Sequence, residues 1–238
     1  MTAYKVAIIT GASRGGGAAL AAAYRRRGWA VTASARTIKP SGDEDLLIVP
    51  GDVAEPAAAA RVVDAALDRF GRIDTLVNNA SVVISRPFTD YTAADFAAVV
   101  GVSLAGFFWL TQRAIAEMAV RYGGHVVTVS ATVAPAAASG MPSVLAALAS
   151  GGVAAATRSL AVEYAACGIR VNAVSAGLIQ VPMTPADGFS GLEGWLPPLG
   201  RAGQVGEIVD GVLFLESAPY ITGEILHIDG GQSAEEER

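Results

Sequence analysis

Thr10-Gly-Ala-Ser-Arg-Gly-Gly-Gly17 decides the fold of this chain, because of what lies on either side of it. An apolar run, Tyr4-Lys-Val-Ala-Ile-Ile9, precedes it, and the alanine-rich segment 18–27 follows it. A strand, a glycine turn and a helix in that order form a phosphate-binding loop, since glycines let the backbone approach a pyrophosphate and the N–H groups at the start of a helix carry partial positive charge. The glycine spacing is GxxxGxG rather than GxGxxG, so the pattern by itself also fits a plain tight turn.

Composition indicates a globular protein with a large core. The chain has 238 residues, of which 52% are hydrophobic and 16% charged, and its net charge of −5 argues against nucleic acid as a partner. The single cysteine, Cys167, excludes an internal disulfide and is expected to be a small buried residue. We predict no signal peptide, and prolines and glycines interrupt the uncharged stretch between His125 and Arg158, so no membrane span is predicted. We therefore expect a cytoplasmic protein.

Predicted strands and helices alternate along the whole chain. Strands are predicted at 4–9, 31–35, 46–50, 75–78, 125–130, 170–174 and 225–228. Helices are predicted at 18–27, 56–70, 92–122 with interruptions at Gly101 and Gly106, 143–166 and 205–215, and 178–204 reads as irregular. The strands are short and continuously apolar, as in a parallel sheet covered on both faces. The sequence thus predicts one doubly wound, Rossmann-like α/β domain over 1–238, with a parallel sheet flanked by helices.

Polar residues near the predicted strand ends suggest the cofactor. No Asp or Glu lies between Gly17 and Lys39, where NAD sites often place an acid on the ribose 2′-hydroxyl. Instead Arg14 lies within the glycine loop and Arg36 follows the second strand. Two arginines and no acid suit a 2′-phosphate, so NADP(H) is predicted over NAD(H), the alternative being two solvated surface arginines. Asp52, after the third strand, is placed to accept from an adenine amino group.

These residues resemble the classical short-chain dehydrogenase/reductases over essentially the whole chain. The loop at 10–17 is similar to that family's TGxxxGxG motif, and Asn78-Asn-Ala-Ser81 to its NNAG motif with Ser in the last place. Residues 158–172 match its long helix and following strand, and 223–231 its C-terminal strand and turn. The resemblance implies a nicotinamide cofactor, a small-molecule substrate and a homo-oligomer, a tetramer or dimer, without a metal site. The predicted cofactor-binding residues are Gly11, Ser13, Arg14, Gly15, Gly16, Gly17, Arg36, Asp52, Val53, Asn79, Ala80, Ser150, Gly177 and Ile179.

The family's catalytic residues do not carry over to this chain. The family uses a Tyr as proton donor, a Lys four residues later, a Ser that orients the carbonyl and an Asn that anchors a water. Aligned from Arg158, the Tyr position falls on Ala146 and the Lys position on Ser150, and Ser103 stands in place of the Asn. The Ser position is Ser130, Ala131 or Thr132, of which Ser130 is the candidate catalytic residue.

Other polar and apolar residues are weaker candidates. His125 and His227 are expected to be structural, and Asp187 and Glu193 to be solvated loop acids. Val181 stands where the family has a Thr that meets the cofactor. An apolar substrate pocket is suggested by Val82, Val83, Phe189, Leu192, Trp195 and Leu196, which serve equally well as packing residues.

Three functions remain open from the sequence. The first is a divergent NADP(H)-dependent oxidoreductase on a small apolar carbonyl or alcohol, with a non-standard proton donor. The second is a non-redox cyclase, lyase or isomerase on the same fold. The third is a non-catalytic subunit of an assembly. The fold alone does not choose among them.

Overall fold

Seven parallel strands form one sheet at the centre of the computed structural model, which describes residues 4–132, 142–180 and 196–237. Its strands are β1 Val6–Thr10, β2 Ala30–Ala35, β3 Leu46–Pro50, β4 Thr75–Asn78, β5 Gly124–Ala131, β6 Ile169–Ala176 and β9 Ile225–Ile228, while β7 Ile179–Gln180 and β8 Gly203–Gln204 form a separate pair. The order of the large sheet is β3-β2-β1-β4-β5-β6-β9. The order reverses between β1 and β4, and in sheets of this kind ligands bind in the crevice outside the carboxyl ends of the strands at that point. The predicted fold class is confirmed.

Helices cover both faces of the sheet. They are α1 Gly15–Arg26, α2 Pro56–Phe70, α3 Ala93–Val99, α4 Gly106–Val120, α5 Val144–Glu163 and α6 Val205–Ser217. One core joins α1 and α6 to Ala7 and Ile9 of β1, and a second joins α2 and α4 to the intervening Ile8. Because side chains alternate across a strand, the continuous apolar strands supply both cores at once.

Several predicted boundaries are confirmed, since local signals mark them. The strands at 46–50, 75–78 and 225–228 and the helix at 56–70 have the predicted limits. Helix α2 begins with Pro56, whose missing N–H costs nothing in a first turn, and ends at Gly71 with a φ of 74°. The helix predicted at 143–166 instead ends at Glu163 and is followed by a 3₁₀ turn, Ala165–Cys167, where Cys167 is half-buried.

The helix predicted at 92–122 is divided by a π-helical segment, Val100–Ala105. The glycines predicted as interruptions allow close packing there. A Cβ on Gly106 would lie 2.8 Å from Cγ2 of Val53, and a Cβ on Gly101 would lie 3.3 Å from Cβ of Ala54. The helix therefore passes close to the loop that follows β3. A second difference lies in the segment predicted as irregular, where β7 Ile179–Gln180 pairs with β8 Gly203–Gln204.

Two apolar helical stretches cover the sheet. Ala93–Val120 and Val144–Glu163 have mean hydropathies of 1.8 and 1.4, so by length and composition alone each is able to cross a membrane. In the structure α4 packs on α2 and α5 packs on β6. Helices that cover a sheet pass the same test of composition, so the test does not indicate a membrane protein.

A buried polar cluster lies at the amino ends of the strands, opposite the glycine loop. Oε2 of Glu216 accepts hydrogen bonds from the Tyr24 hydroxyl (3.1 Å), the Thr75 hydroxyl (2.8 Å) and Nδ1 of His125 (3.0 Å). The Asn172 amide donates to Nε2 of His125 over 3.1 Å, so the imidazole is neutral with its proton on Nδ1.

Burial and hydrogen bonding together set the protonation of this cluster. It lowers the pKa of His125, although Glu216 opposes the shift. Burial would raise the pKa of Glu216, but the hydrogen bonds from His125, Thr75 and Tyr24 prevail and hold it below its ordinary value. His125 therefore has a structural position, far from the carboxyl ends of the strands, and His227 is exposed on β9.

Candidate functional site

The glycine loop joins β1 to α1 and leaves the start of the helix open to an anion. Gly11 and Gly15 have φ angles of 65° and 55°, which favour glycine over any residue with a side chain. Arg14 precedes the helix in an extended conformation. Among the residues that the structure describes, no side chain caps α1, and the first turn of this helix contains no acidic residue. The N–H groups of the first turn and the helix dipole are thus available to a phosphate.

Thr10 and Asn79 fasten this loop to the end of β4. The Thr10 hydroxyl accepts from the backbone N–H groups of Asn79 and Ala80, each over 3.0 Å, and the Asn79 side chain donates to the Thr10 carbonyl over 3.0 Å. Asn79 therefore braces the turn after β4 against the end of β1. Sequence reasoning assigned no role to Thr10, although its place at a strand end beside a glycine was a signal.

Gly17 lies beneath the loop rather than on its surface. A Cβ at this position would overlap the Gly11 carbonyl and lie 2.7 Å from Nδ2 of Asn79. A Cβ on Gly11 would likewise lie 2.9 Å from that nitrogen. Both glycines permit the close contact between loop and strand, and Gly17 contributes to the site through packing.

A cleft of about 760 Å³ opens above the loop. It brings together most of the predicted cofactor-binding residues, namely Gly11, Ser13, Arg14, Gly15, Gly16, Arg36, Asp52, Val53, Asn79 and Ala80. Ser150 lies in a neighbouring cavity. Gly177 and Ile179 lie at the end of β6 and in β7 and do not line the cleft among the residues that the structure describes. Their cofactor contact remains a prediction.

Among the described residues that line the cleft, the charged ones are two arginines and one acid. Arg14 and Arg36 are both exposed on its lining. Oδ1 of Asp52 accepts from the Ala54 N–H over 3.0 Å, which fixes the turn after β3. The next acids along the chain after β2 are Asp43, Glu44 and Asp45, and the first and last of them pair with Arg25 at 2.8 and 3.2 Å.

A smaller cavity of about 40 Å³ adjoins the cleft. Both are lined by Val53, Ala80, Ser81, Val82 and Val102. One wall of the cavity is the face of α5 that carries Ala146, Ala149, Ser150 and Val153. Positions 146 and 150 thus face the site, and there they present a methyl group and a hydroxyl.

The rest of this cavity is lined mainly by apolar residues, together with Ser81, Ser103 and Ser130. Ser103 lies in the π-helical segment, and its Oγ accepts from the Val82 N–H over 3.4 Å. Ser130 and Ala131, at the end of β5, also line the cavity. Thr132 does not, because its hydroxyl pairs with that of Ser175 over 2.8 Å. Ser130 is therefore the hydroxyl among the three candidate positions that faces the site.

The lysines lie away from both cavities. Nζ of Lys5 is 5.0 Å from the ring centre of Trp29, and Lys39 is exposed beyond β2. Tyr91 donates its hydroxyl to the Ile84 carbonyl over 2.8 Å. Within the described ranges no Lys or Tyr lines the cleft or the cavity. Val181, Asp187, Phe189, Leu192, Glu193 and Trp195 lie outside the described residues.

Several known proteins are similar to this chain in sequence and architecture. A family model described as enoyl-(acyl carrier protein) reductase matches residues 9–233. The granaticin polyketide synthase putative ketoacyl reductase 2 of Streptomyces violaceoruber is 35% identical over 95% of this chain and 95% of its own length. The 3-oxoacyl-(acyl-carrier-protein) reductase FabG of Vibrio cholerae is 34% identical over 95% of this chain and 96% of its own.

Solved structures agree with these relatives. The 3-ketoacyl-(acyl-carrier-protein) reductase from Brucella melitensis, complexed with NADH, has a TM-score of 0.86 and 28% identity over 96% of this chain and 98% of its own. ElxO with NADP bound has a TM-score of 0.87 and 25% identity over 97% of this chain and 99% of its own. The glycine loop, the strand order and these matches lead to one conclusion: the chain belongs to the short-chain dehydrogenase/reductase family.

Proposed function

We propose that this protein is an NADP(H)-dependent oxidoreductase acting on a small, largely apolar carbonyl or alcohol, with a proton donor other than a Tyr–Lys pair. The observation that carries the proposal is the junction of two spaces at the carboxyl ends of the strands. A long cleft at the glycine-rich start of α1 adjoins a smaller cavity, as cofactor and substrate sites must do for hydride transfer.

The residues of the cleft fit a dinucleotide. The pyrophosphate would bind at the first turn of α1, where the glycines leave no side chain in the way. Asp52 keeps a carboxylate on the cleft for an adenine amino group. When bound, the reduced cofactor supplies a hydride to the substrate carbonyl.

Charge supports NADP(H) over NAD(H). Arg14 and Arg36 line the cleft, and Asp52 is the acid among its described lining residues. A 2′-phosphate favours such guanidinium groups, whereas a bare 2′-hydroxyl favours an acid at the end of β2. Among the similar structures, one is complexed with NADH and another has NADP bound, so the fold accepts both dinucleotides.

Binding measurements test this proposal directly. Titration followed by nicotinamide fluorescence should show tighter binding of NADPH than of NADH. Replacing Arg36 with Ala should weaken NADPH binding about tenfold, which corresponds to about 1.4 kcal/mol, and leave NADH binding almost unchanged. Lys39→Ala is the matched control, since Lys39 is also exposed after β2 but does not line the cleft. Failure of both dinucleotides to bind at millimolar concentration would refute the proposal.

The side chains that α5 presents to the smaller cavity decide which proton donors are available there. A positioned acid contributes about 10²–10⁴-fold to a carbonyl reduction, and alanine at position 146 has no proton to give. The double substitution Ala146→Tyr with Ser150→Lys should therefore raise carbonyl reductase activity. Its matched control is Ala147→Tyr with Gly151→Lys, one position further along the same helix. A folded, cofactor-binding double variant with no gain on a broad panel of carbonyls would contradict this reasoning.

Ala146 and Ser150, which stand in place of the Tyr–Lys pair, also fit a second candidate function. A non-redox enzyme, such as a cyclase, lyase or isomerase, or a non-catalytic subunit would use the fold without the Tyr–Lys pair. This candidate is supported if NADPH binds but neither the natural chain nor the double variant turns over any carbonyl or alcohol.

We also propose a cytoplasmic homo-oligomer, a dimer or tetramer. Large apolar side chains are exposed on α4 and α5, among them Phe108 at 50%, Leu148 at 59% and Val162 at 81%. Apolar surface of this kind is typical of a subunit interface. Light scattering coupled to gel filtration should give a mass of two or four chains, and a single-chain mass at micromolar concentration would refute it.

A further inference from the structure

The smaller cavity has no charged side chain among its described lining residues. Most of the lining is apolar, and its polar members are hydroxyl and amide side chains. Arg14 and Arg36 line the neighbouring cleft and not the cavity. Ser150, in the place where the family has a Lys, presents a hydroxyl to it. Charge that develops on a substrate in this cavity therefore meets no opposite charge on the described lining.

The type of hydride acceptor decides how much charge develops. When a neutral carbonyl takes a hydride, its oxygen becomes an alkoxide while the dinucleotide becomes positively charged at its ring. Opposite charges are then separated in an apolar site, which is costly unless a proton or a fixed charge compensates. A conjugated alkene has the same difficulty, because hydride addition turns it into an enolate anion.

An iminium ion, C=N⁺, avoids this separation. It carries its positive charge before the reaction, and the hydride turns it into a neutral amine. The positive charge moves from the substrate to the dinucleotide, so the total charge within the site is the same before and after the transfer. An uncharged cavity without a proton donor is therefore better matched to an iminium ion than to a carbonyl or an alkene.

We propose that this protein reduces small iminium ions to amines in this cavity. The proposal rests on the NADP(H)-dependent hydride transfer proposed above and names a substrate class for the same site. It accounts for both missing residues of the family's pair. A Tyr at position 146 would have no proton to deliver to an iminium ion, and an ammonium group at position 150 would repel it. Ala146 and Ser150 present neither group to the cavity.

The atoms and electrons of this step balance without a further reactant. The iminium carbon gains the hydride of the reduced dinucleotide and forms a new C–H bond. The π electrons of the C=N bond become the lone pair of the amine nitrogen, and no other bond breaks. One iminium ion and one reduced dinucleotide give one amine and one oxidised dinucleotide, and no proton is consumed.

The lining of the cavity suits a weakly hydrated cation. Ser130 and Ser150 present hydroxyl oxygens, whose lone pairs attract positive charge. Phe107, only 8% exposed, adds an aromatic ring to the lining, and aromatic rings attract cations. An iminium ion spreads its charge over carbon and nitrogen, and delocalised cations lose less hydration than compact ammonium ions when they leave water.

Binding to the dinucleotide-free protein tests the charge argument without turnover. The probe is N-methylpyrrolinium, a small ring with a fixed positive charge, followed by titration calorimetry. Ser150→Lys should weaken binding of this cation about tenfold relative to Ser150→Met, which fills similar space without charge. Gly151→Lys is the matched control and should leave the Kd unchanged, because Gly151 is exposed on the same helix and lines neither space.

Two results of this titration would overturn the proposal. One is equal affinity of the Lys and Met variants for the cation, and the other is no binding to the natural chain at millimolar concentration. If Ser150→Lys does not fold, Ala146→Lys against Ala146→Met makes the same comparison on the same wall of the cavity.

Kinetics with NADPH test the activity itself. The natural chain should reduce N-methylpyrrolinium with a kcat/KM at least about 100-fold above that for cyclopentanone, a neutral carbonyl of the same ring size, because the carbonyl lacks the contribution of an acid. The double substitution Ala146→Tyr with Ser150→Lys should raise kcat/KM for cyclopentanone and lower it for N-methylpyrrolinium. Opposite shifts in one variant separate the effect of the site from the greater intrinsic reactivity of the cation.

The outcomes also separate this proposal from the oxidoreductase function. Reduction of cyclopentanone as fast as N-methylpyrrolinium, or a double variant that gains on both, would overturn the iminium proposal and leave the oxidoreductase function standing. If NADPH binds but neither compound is reduced, the iminium proposal fails, and the panel of carbonyls decides the oxidoreductase function. If neither dinucleotide binds, both proposals fail.

Discussion

Replacing Glu216 with Ala should destabilise the protein strongly, although Glu216 lies at the far end of the sheet from the cleft. The substitution leaves three buried donors without an acceptor, namely the hydroxyls of Tyr24 and Thr75 and Nδ1 of His125. None of the three side chains is more than 2% exposed, so water cannot reach them freely. Each unpaired donor costs about 1–3 kcal/mol, and some local relaxation is expected, so the total should be about 3–5 kcal/mol.

A loss of this size is readily measured by thermal unfolding at pH 7. For a domain of this length, 1 kcal/mol corresponds to about 2–4 °C, so the melting temperature should fall by about 6–20 °C. The matched control is Glu224→Ala, because the Glu224 side chain is exposed and the residue bonds to Asn172 and Ala173 through its backbone, which the substitution keeps. That control should shift the melting temperature by less than about 2 °C. A shift equally small in Glu216→Ala would refute the assignment of three donors to one carboxylate.

Three further predictions concern stability. Burial lowers the pKa of His125 in the folded state, so the stability that its neutral form contributes is complete above pH 6.5 and is lost as the pH falls below that value. The pKa of Glu216 is also lowered, so a further loss of stability follows below pH 4.5. The free energy of unfolding in urea should therefore be smaller at pH 5 than at pH 7.5. Gly17→Ala should abolish dinucleotide binding, measured by fluorescence, whereas Gly151→Ala, in open space within α5, should stabilise the fold by about 0.5–1 kcal/mol. Thr10→Val should cost about 2–4 kcal/mol in urea unfolding by leaving two N–H groups unpaired, and Thr10→Ser should not; equal effects of the two substitutions would contradict the hydroxyl's role.

The sequence predicts most of the fold because its signals are local. Pro56 and Gly71 mark the ends of α2, and continuous apolar runs mark strands buried on both faces. The glycine loop identifies the site for the same reason, because the backbone there needs positive φ angles and glycine is the residue that adopts them readily.

Local signals of this kind do not predict contacts between residues that are far apart in the sequence. Glu216 bonds to residues that are 91, 141 and 192 positions away, and nothing near it in the sequence predicts a buried carboxylate. Pairing of Asn78 with Thr128 follows from the strand register, which appears only once the sheet is assembled. The π-helical turns at Val100–Ala105 depend on how closely the helix passes the loop after β3, and a periodicity of 3.6 residues does not reveal them.

The π-helical segment also affects how this protein would respond to the insertion or deletion of a residue. An α-helix turns by about 100° per residue, so one inserted or deleted residue within 100–105 would rotate α3 about its axis relative to α4. It would also carry Ser103 away from the wall that it shares with Val82. A single-codon insertion or deletion at this helix would therefore move Val102 and Ser103 and reshape the wall between the cleft and the smaller cavity, while the strand order of the sheet stays the same.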